Sequence, residues 1–137
     1  MAVFTKINNK DISYIENHFK IGKIKIFKGI KKGIENTNYL IKTKNRKFIL
    51  TIFERRVHGG CKRKDLTFFA SLMSKLSKLK INCPEPVKNK KGNYIFRLKN
   101  KNACVVTFLK GRDKKQLSAK DCFTVGKNVA KFHRAST

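Results

Sequence analysis

Apolar positions change period several times along the chain, and each change marks an element. Ile12, Ile15 and Phe19 recur at three- and four-residue spacing, which predicts a short helix over Asn8 to Phe19. Asn8 stands where a cap belongs, and Asp11 follows three residues later, the spacing of a capping box. Lys23 to Lys28 then alternates polar and apolar residues, the period of a half-buried strand. Thr37 to Thr43 and Lys47 to Phe53 are two further strands, joined by the polar turn Lys44-Asn45-Arg46. Phe48 to Phe53 is almost wholly apolar, so this third strand is expected at the sheet centre with both faces covered.

After a basic loop at residues 55–64, a helix is expected from Asp65 to about Leu79. Leu66, Phe69, Leu72, Met73, Leu76 and Leu79 form its stripe. Cys83-Pro84-Glu85-Pro86 ends that region, because neither proline continues a helix or a central strand. Tyr94 to Leu98 and Ala103 to Leu109 are strands joined by a turn at Lys99 to Asn102. Gly111 to Leu117 is a linker. Ser118 with Asp121 caps a last helix, whose buried stripe is expected to be Cys122, Val125, Val129 and Phe132. Short turns between the first three strands require antiparallel pairing. The fold class is therefore α+β: a five-stranded, mainly antiparallel sheet with a packed helix, followed by a helix that stands apart.

Composition adds a strong basic bias. Lys and Arg number 34 against eight Asp and Glu, a formal charge of +26. Such a charge suggests a nucleic-acid or anionic-membrane partner. Lys, Ile and Asn dominate together, however, which a genome rich in A and T produces without selection for a polyanion. The lysines are also scattered through every segment, so only non-specific, salt-sensitive polyanion binding is expected. The absence of any run of roughly 18 apolar residues predicts no membrane helix. The opening residues lack an apolar signal core, so no export is implied. Cys61, Cys83, Cys104 and Cys122 include no C-x-x-C pair and suggest neither a disulfide framework nor a zinc site. Cys104 and Cys122 read as core thiols, and a cytoplasmic location fits. His18, His58 and His133 lack metal-ligand spacing. The tyrosines and phenylalanines read as packing residues rather than a base-stacking surface.

One segment carries candidate chemistry. Between the first two strands lies Gly29-Ile30-Lys31-Lys32-Gly33-Ile34-Glu35-Asn36. A glycine-bearing loop between strands lets backbone N–H groups approach phosphate oxygens, and Lys31 or Lys32 adds charge. By itself the loop is also consistent with a plain hairpin turn.

The wording of the chain narrows the choice. Gly33-Ile34-Glu35-Asn36-Thr37-Asn38-Tyr39 resembles the G-I-E-N-T-N-Y signature of type II homoserine kinases. Phe48 to Glu54 is similar to that family's third strand, Asp65-Leu66-Thr67-Phe68-Phe69 with Leu72-Met73 to the start of its small-lobe helix, and Cys83-Pro84-Glu85-Pro86 to its C-P-x-P turn. Val106-Thr107-Phe108-Leu109-Lys110-Gly111-Arg112 resembles its hinge, and Val125-Gly126 through His133 the helix after the hinge. The first of these motifs is fairly specific; the others are mostly shared with the wider aminoglycoside-phosphotransferase and choline-kinase group.

The resemblance implies a protein-kinase-like small lobe at residues 1–109, with a hinge and the first helix of a second lobe at 110–137. It implies ATP-dependent phosphorylation of homoserine on the route to threonine. Gly29, Lys31, Lys32, Gly33, Asn36, Thr37 and Asn38 would cover the ATP phosphates. Thr107, Phe108 and Leu109 would form the hinge beside adenine, and Ile26, Ile41, Ile49 and Val106 would line the adenine slot. Thr51 occupies the place where many kinases carry a strand lysine. No residue here inherits the family's catalytic base or its Mg2+ ligands, which are expected after Thr137, so the chain alone is expected to be inactive. The loop at residues 55–64 departs from the family pattern. Two rival readings remain: a basic nucleic-acid-binding module, and a fragment of another aminoglycoside- or choline-kinase-like phosphotransferase.

Overall fold

Two-residue alternation becomes a sheet with two unlike faces. The computed structural model describes residues 3–54 and 62–136. In chain order the elements are α1 (Asn9–His18), β1 (Ile26–Gly29), β2 (Thr37–Lys42), β3 (Lys47–Ile52), α2 (Arg63–Lys78), β4 (Ile95–Leu98), β5 (Lys101–Thr107) and α3 (Ala119–Ser136). The five strands form one sheet in the order β1-β2-β3-β5-β4, and every neighbouring pair is antiparallel. The expected α+β class and five-stranded antiparallel sheet are thus observed.

Residues directly paired across an antiparallel ladder share a face. On one face lie Phe27, Tyr39, Ile41, Phe48, Leu50, Ile52, Ala103, Val105, Phe96 and Leu98. They pack with Ile12, Ile15 and Phe19 around α1, and with Ile7, Ile21 and Ile24, to form the main core. Complete burial of Phe48, Leu50 or Ile52 stabilises the fold by roughly 1.5–3 kcal/mol each. The capping box of α1 forms as expected. Asp11 N–H donates to Asn8 Oδ1 at 3.1 Å, and Asn8 N–H donates to Asp11 Oδ2 at 2.8 Å.

The opposite face is covered over β4 and β5 only. There Leu66 and Ala70 of α2 pack on Ile95 and Cys104, with Phe53, Tyr94 and Val106 at the margin. Burial pushes the Cys104 thiol up to about 12, so it is an inert core group. Beside β5 the edge continues through Glu85–Val87: Thr107 N–H donates to Glu85 O and Val87 N–H to Val105 O. Pro86, between these two bonded positions, pairs with Val106 at an edge where its missing N–H costs nothing. The β4–β5 turn needs only Lys99 and Asn100, both with positive φ (48° and 58°), the mirror-image turn that matches strand twist.

Several expectations are corrected. The first strand begins at Ile26 rather than Lys23, although Ile24 is buried as the alternation implies. β3 is central, but only Phe48, Leu50 and Ile52 are buried. Ile49 and Thr51 are half-buried because α2 does not extend over them. On α2, Phe69 and Leu79 are exposed. On α3, Cys122, Val125, Val129 and Phe132 are all exposed, so Cys122 is not a core thiol in this chain. The reason is shared: a helical apolar stripe identifies a surface fit for burial, but burial requires something to cover it. The α3 cap itself forms. Asp121 Oδ2 accepts from Ser118 N–H at 2.8 Å, and its carboxyl is held down to about 2 by Lys114 and Ser118. The basic loop falls chiefly on 55–61, outside the described residues. No described helix is long and apolar enough to cross a membrane.

Candidate nucleotide-binding face

Beyond the reach of α2, the second face of β1, β2 and β3 is open. A row crosses it from strand to strand: Lys28 pairs with Leu40, Leu40 with Ile49, and Ile49 with Val106. Leu40, Ile49 and Val106 are half-buried and form an apolar floor, while Lys28 is exposed at its outer end. A second, more polar row runs beside it. Asn38 pairs with Thr51 and Thr51 with Cys104. Thr51 Oγ1 donates to Asn38 Oδ1 at 2.7 Å.

The glycine loop joins β1 to β2, the outer two strands at this end of the sheet. Ile30 N–H donates to Asn38 O at 2.8 Å, which closes its base. Gly33 has φ of +142°, a conformation that side chains rarely adopt. Lys31 and Lys32 are exposed. Lys32 Nζ lies 3.3 Å from Asp113, but both side chains are about 90% exposed, so the pair is worth little. Gly29 enters the loop against the chain's amino-terminal segment: a Cβ built there would lie 2.8 Å from Val3 Cγ2.

At the loop's far end the chain turns inward. Asn36 Oδ1 accepts from Glu54 N–H at 3.2 Å. The Thr37 side chain is fully buried on the α1 face, not the open one. Its hydroxyl donates to Glu54 Oε1 at 2.7 Å and accepts from the N–H groups of Phe4 and Thr5. Thr5 Oγ1 donates to the same carboxylate oxygen at 2.6 Å, and Lys101 Nζ bonds the other. Burial alone raises the Glu54 pKa, but the bonds from Lys101, Thr5 and Thr37 outweigh it and hold the carboxyl below its ordinary value.

At the end of β5, where a hinge was expected, Thr107 N–H is taken by Glu85 O and Phe108 N–H by Lys47 O. Lys47 Nζ also lies 5.6 Å from the Phe108 ring centroid. Leu109, 40% exposed, follows them.

The structure puts Asn38 and Thr51 on the open face, whereas Gly29 pairs with Tyr39 of the α1 face; Lys31, Lys32, Gly33 and Asn36 lie in the loop that joins β1 to β2, and Thr107 to Leu109 stand at and just after the end of β5. It removes two expectations. Ile41 is fully buried against α1 and cannot line an adenine slot there, because it is one residue out of phase with the open face. The Thr37 hydroxyl is committed to Glu54. Leu40 and Lys28 take up the positions that sequence reasoning missed, although alternation counted from Asn38 and Ile26 would have found both. Glu54 was legible only as an acid ending an apolar strand. Among the described residues no group of three or more His, Cys, Asp or Glu side chains could hold a metal.

Comparison with known proteins bears on the family and the fold. The phosphotransferase enzyme family matches residues 26–137. Homoserine kinase of Beijerinckia indica is 40% identical over 135 residues, covering 98% of this chain and 41% of that protein. Homoserine kinase of Methylocella silvestris is 35% identical, covering 99% of this chain and again 41% of the relative. The chain thus spans about two-fifths of the length of these relatives. Among solved structures, spectinomycin phosphotransferase in complex with ADP and spectinomycin superposes with a TM-score of 0.72 at 14% identity, over 97% of this chain and 40% of that one. A microcompartment-associated aminopropanol kinase superposes at 0.66 and 14% identity, over 93% of this chain and 40% of its own. These likenesses show a shared fold, that of a kinase-like small lobe. With the match running from β1 through α3, the chain belongs to the phosphotransferase enzyme family.

Proposed function

We propose that this chain is the ATP-gripping part of a homoserine kinase. One observation carries the reading: the sheet face left bare by α2 has an apolar floor of Leu40, Ile49 and Val106 and is rimmed by a glycine loop, in a chain aligned over 98% of its length with homoserine kinases. Adenine would lie on that floor with Ile26 at its margin, reaching the hinge near Leu109. The phosphates would extend toward Gly33 and Asn38, where loop amides and Lys31 or Lys32 meet their charge. Domain roles follow: residues 1–109 form the nucleotide lobe, and 110–137 the hinge and the first helix of a second lobe.

In the reaction, the homoserine hydroxyl oxygen attacks the ATP γ-phosphorus, the bond to the β,γ-bridging oxygen breaks, and the hydroxyl proton passes to a base. This chain's residues bind and orient the nucleotide. Magnesium, when bound, neutralises phosphate charge. Neither its ligands nor the base is assigned to these residues. The reaction makes phosphohomoserine on the way to threonine. A reducing cytoplasm suits the free thiols of Cys83, Cys104 and Cys122.

Titration of the chain with ATP, followed by amide NMR, tests the reading. Shifts are expected at Gly33, Asn36 and Leu109, with weak affinity. Shifts confined to scattered surface lysines would overturn it in favour of unspecific anion binding.

A further inference from the structure

The amino-terminal segment touches the glycine loop at both of its roots. At the first root, Gly29 has no room for a Cβ because Val3 Cγ2 occupies that space. At the second, Thr37 Oγ1 accepts the N–H groups of Phe4 at 2.9 Å and Thr5 at 3.0 Å. The segment is held further along, where Tyr39 Oη donates to Thr5 O at 3.0 Å and accepts from Ile7 N–H at 3.2 Å.

One carboxylate gathers these contacts. Thr37 has a single hydroxyl proton, and both its lone pairs are used by the backbone of Phe4 and Thr5, so the proton must go to an acceptor. Glu54 Oε1 takes it, and takes the Thr5 hydroxyl proton as well. Thr5 Oγ1 in turn accepts from Lys101 Nζ at 2.7 Å, which also bonds Glu54 Oε2. An ionised Glu54 accepts all three donors with no proton of its own to place beside the Lys101 ammonium. Its own N–H donates to Asn36, the last loop residue before β2. A buried acid at the end of β3 thus joins the amino-terminal segment, the exit of the loop and the start of β5.

We propose that Glu54 is a positioning residue for the glycine loop, acting through Thr37, Thr5 and the Val3–Thr5 segment to fix both loop roots. The proposal rests on the reading of residues 29–36 as a phosphate grip. A loop whose amides must converge on an anion gains affinity when its ends are held before the ligand arrives. The carboxylate lies on the α1 face and does not touch the open face, so it acts on the nucleotide only through the loop.

The test uses the 137-residue chain. Wild-type amides of the loop are first followed during ATP titration; no response there would overturn the phosphate-grip reading itself. Thr5→Val removes one donor to Glu54. It is expected to accelerate hydrogen exchange of the loop amides at residues 30–35 and to weaken ATP binding by roughly tenfold, the effect of one charge-assisted hydrogen bond. Adenosine, which lacks phosphates, should bind as before, and Thr5→Ser should restore both loop exchange and ATP affinity. Gly29→Ala reaches the same segment from the other root, displaces Val3 without altering the carboxylate's partners, and should accelerate the same amides. If loop exchange is unchanged in both Thr5→Val and Gly29→Ala, or if adenosine and ATP weaken equally, Glu54 serves only the stability of the lobe and the proposal is overturned.

Discussion

Thr51 Oγ1 donates a 2.7 Å hydrogen bond to Asn38 Oδ1 across the β2–β3 ladder, on the open face of the sheet. Many kinases place a lysine at this point of the third strand. On the resemblance to homoserine kinases, this neutral pair stands at that point. The bond fixes which end of the Asn38 side chain faces Thr51 and leaves the amide nitrogen directed elsewhere, 3.4 Å from Asn36 O. On the proposed reading this strand position offers no charge to a bound phosphate, which leaves that charge to the loop lysines and Lys28.

Removing that bond should therefore affect ligand response as well as stability. Thr51→Val keeps the shape and the strand preference but removes the donor. It should lower stability by about 1 kcal/mol, the net worth of a neutral hydrogen bond, as read by urea denaturation. The ATP-induced shift of the Asn38 side-chain amide should shrink. Unchanged stability together with an unchanged shift would show that the pair orients nothing.

Acid should loosen the lobe in a defined direction. The folded state holds the Glu54 carboxyl below its ordinary value, so it binds a proton less readily than the unfolded chain does. The stabilisation is fully present above the unfolded value and is lost as pH falls through the folded one. Glu54→Gln should cost about 1–2 kcal/mol near neutral pH, allowing for the partial exposure of Lys101, and should flatten the acid limb of the stability profile. Parallel profiles for the two proteins between about pH 3 and 7 would show that Glu54 is not the titrating group.

Phosphoryl transfer should not occur in this chain alone. Transfer needs a carboxylate at the acceptor hydroxyl and ligands for magnesium. Of the eight acidic residues, Glu54 is enclosed by its three donors. Asp11 and Asp121 cap helices, and Glu16 accepts the N–H of Ile24 at 2.5 Å. Purified chain with homoserine and Mg-ATP should form no phosphohomoserine above background in a coupled or radiolabel assay. Turnover that vanishes on mutation of one of its carboxylates would relocate the active site to this chain.

Polyanion binding should be present, weak and salt-dependent. The 34 Lys and Arg are scattered along the chain rather than gathered into one run, so binding would rest on phosphate neutralisation. Fluorescence anisotropy with unrelated RNA and DNA oligomers should give similar affinities that fall steeply between about 50 and 200 mM salt. Tight binding to one sequence that persists at the higher salt would favour a dedicated nucleic-acid module instead.

Local chemistry was largely readable from the chain. Period two gave β2 and β3 to within a residue or two at their ends, because side chains on a strand must alternate. The Asn8–Asp11 and Ser118–Asp121 pairs gave two helix starts, because caps satisfy backbone donors within a few residues. The loop between β1 and β2 was likewise readable from its glycines and its place in the order of elements. What sequence alone left open was which face each alternating residue would meet. Ile41 and Leu40 are adjacent and equally apolar, yet only the register between β1, β2 and β3 puts Ile41 under α1 and Leu40 on the open floor. Tertiary structure likewise decided that the α3 stripe lies exposed. It also decided that Glu54 is buried with Thr5, Thr37 and Lys101, partners 49, 17 and 47 residues away in sequence. Burial and buried hydrogen bonds depend on what the rest of the chain brings alongside, and no local pattern of residues encodes that neighbour.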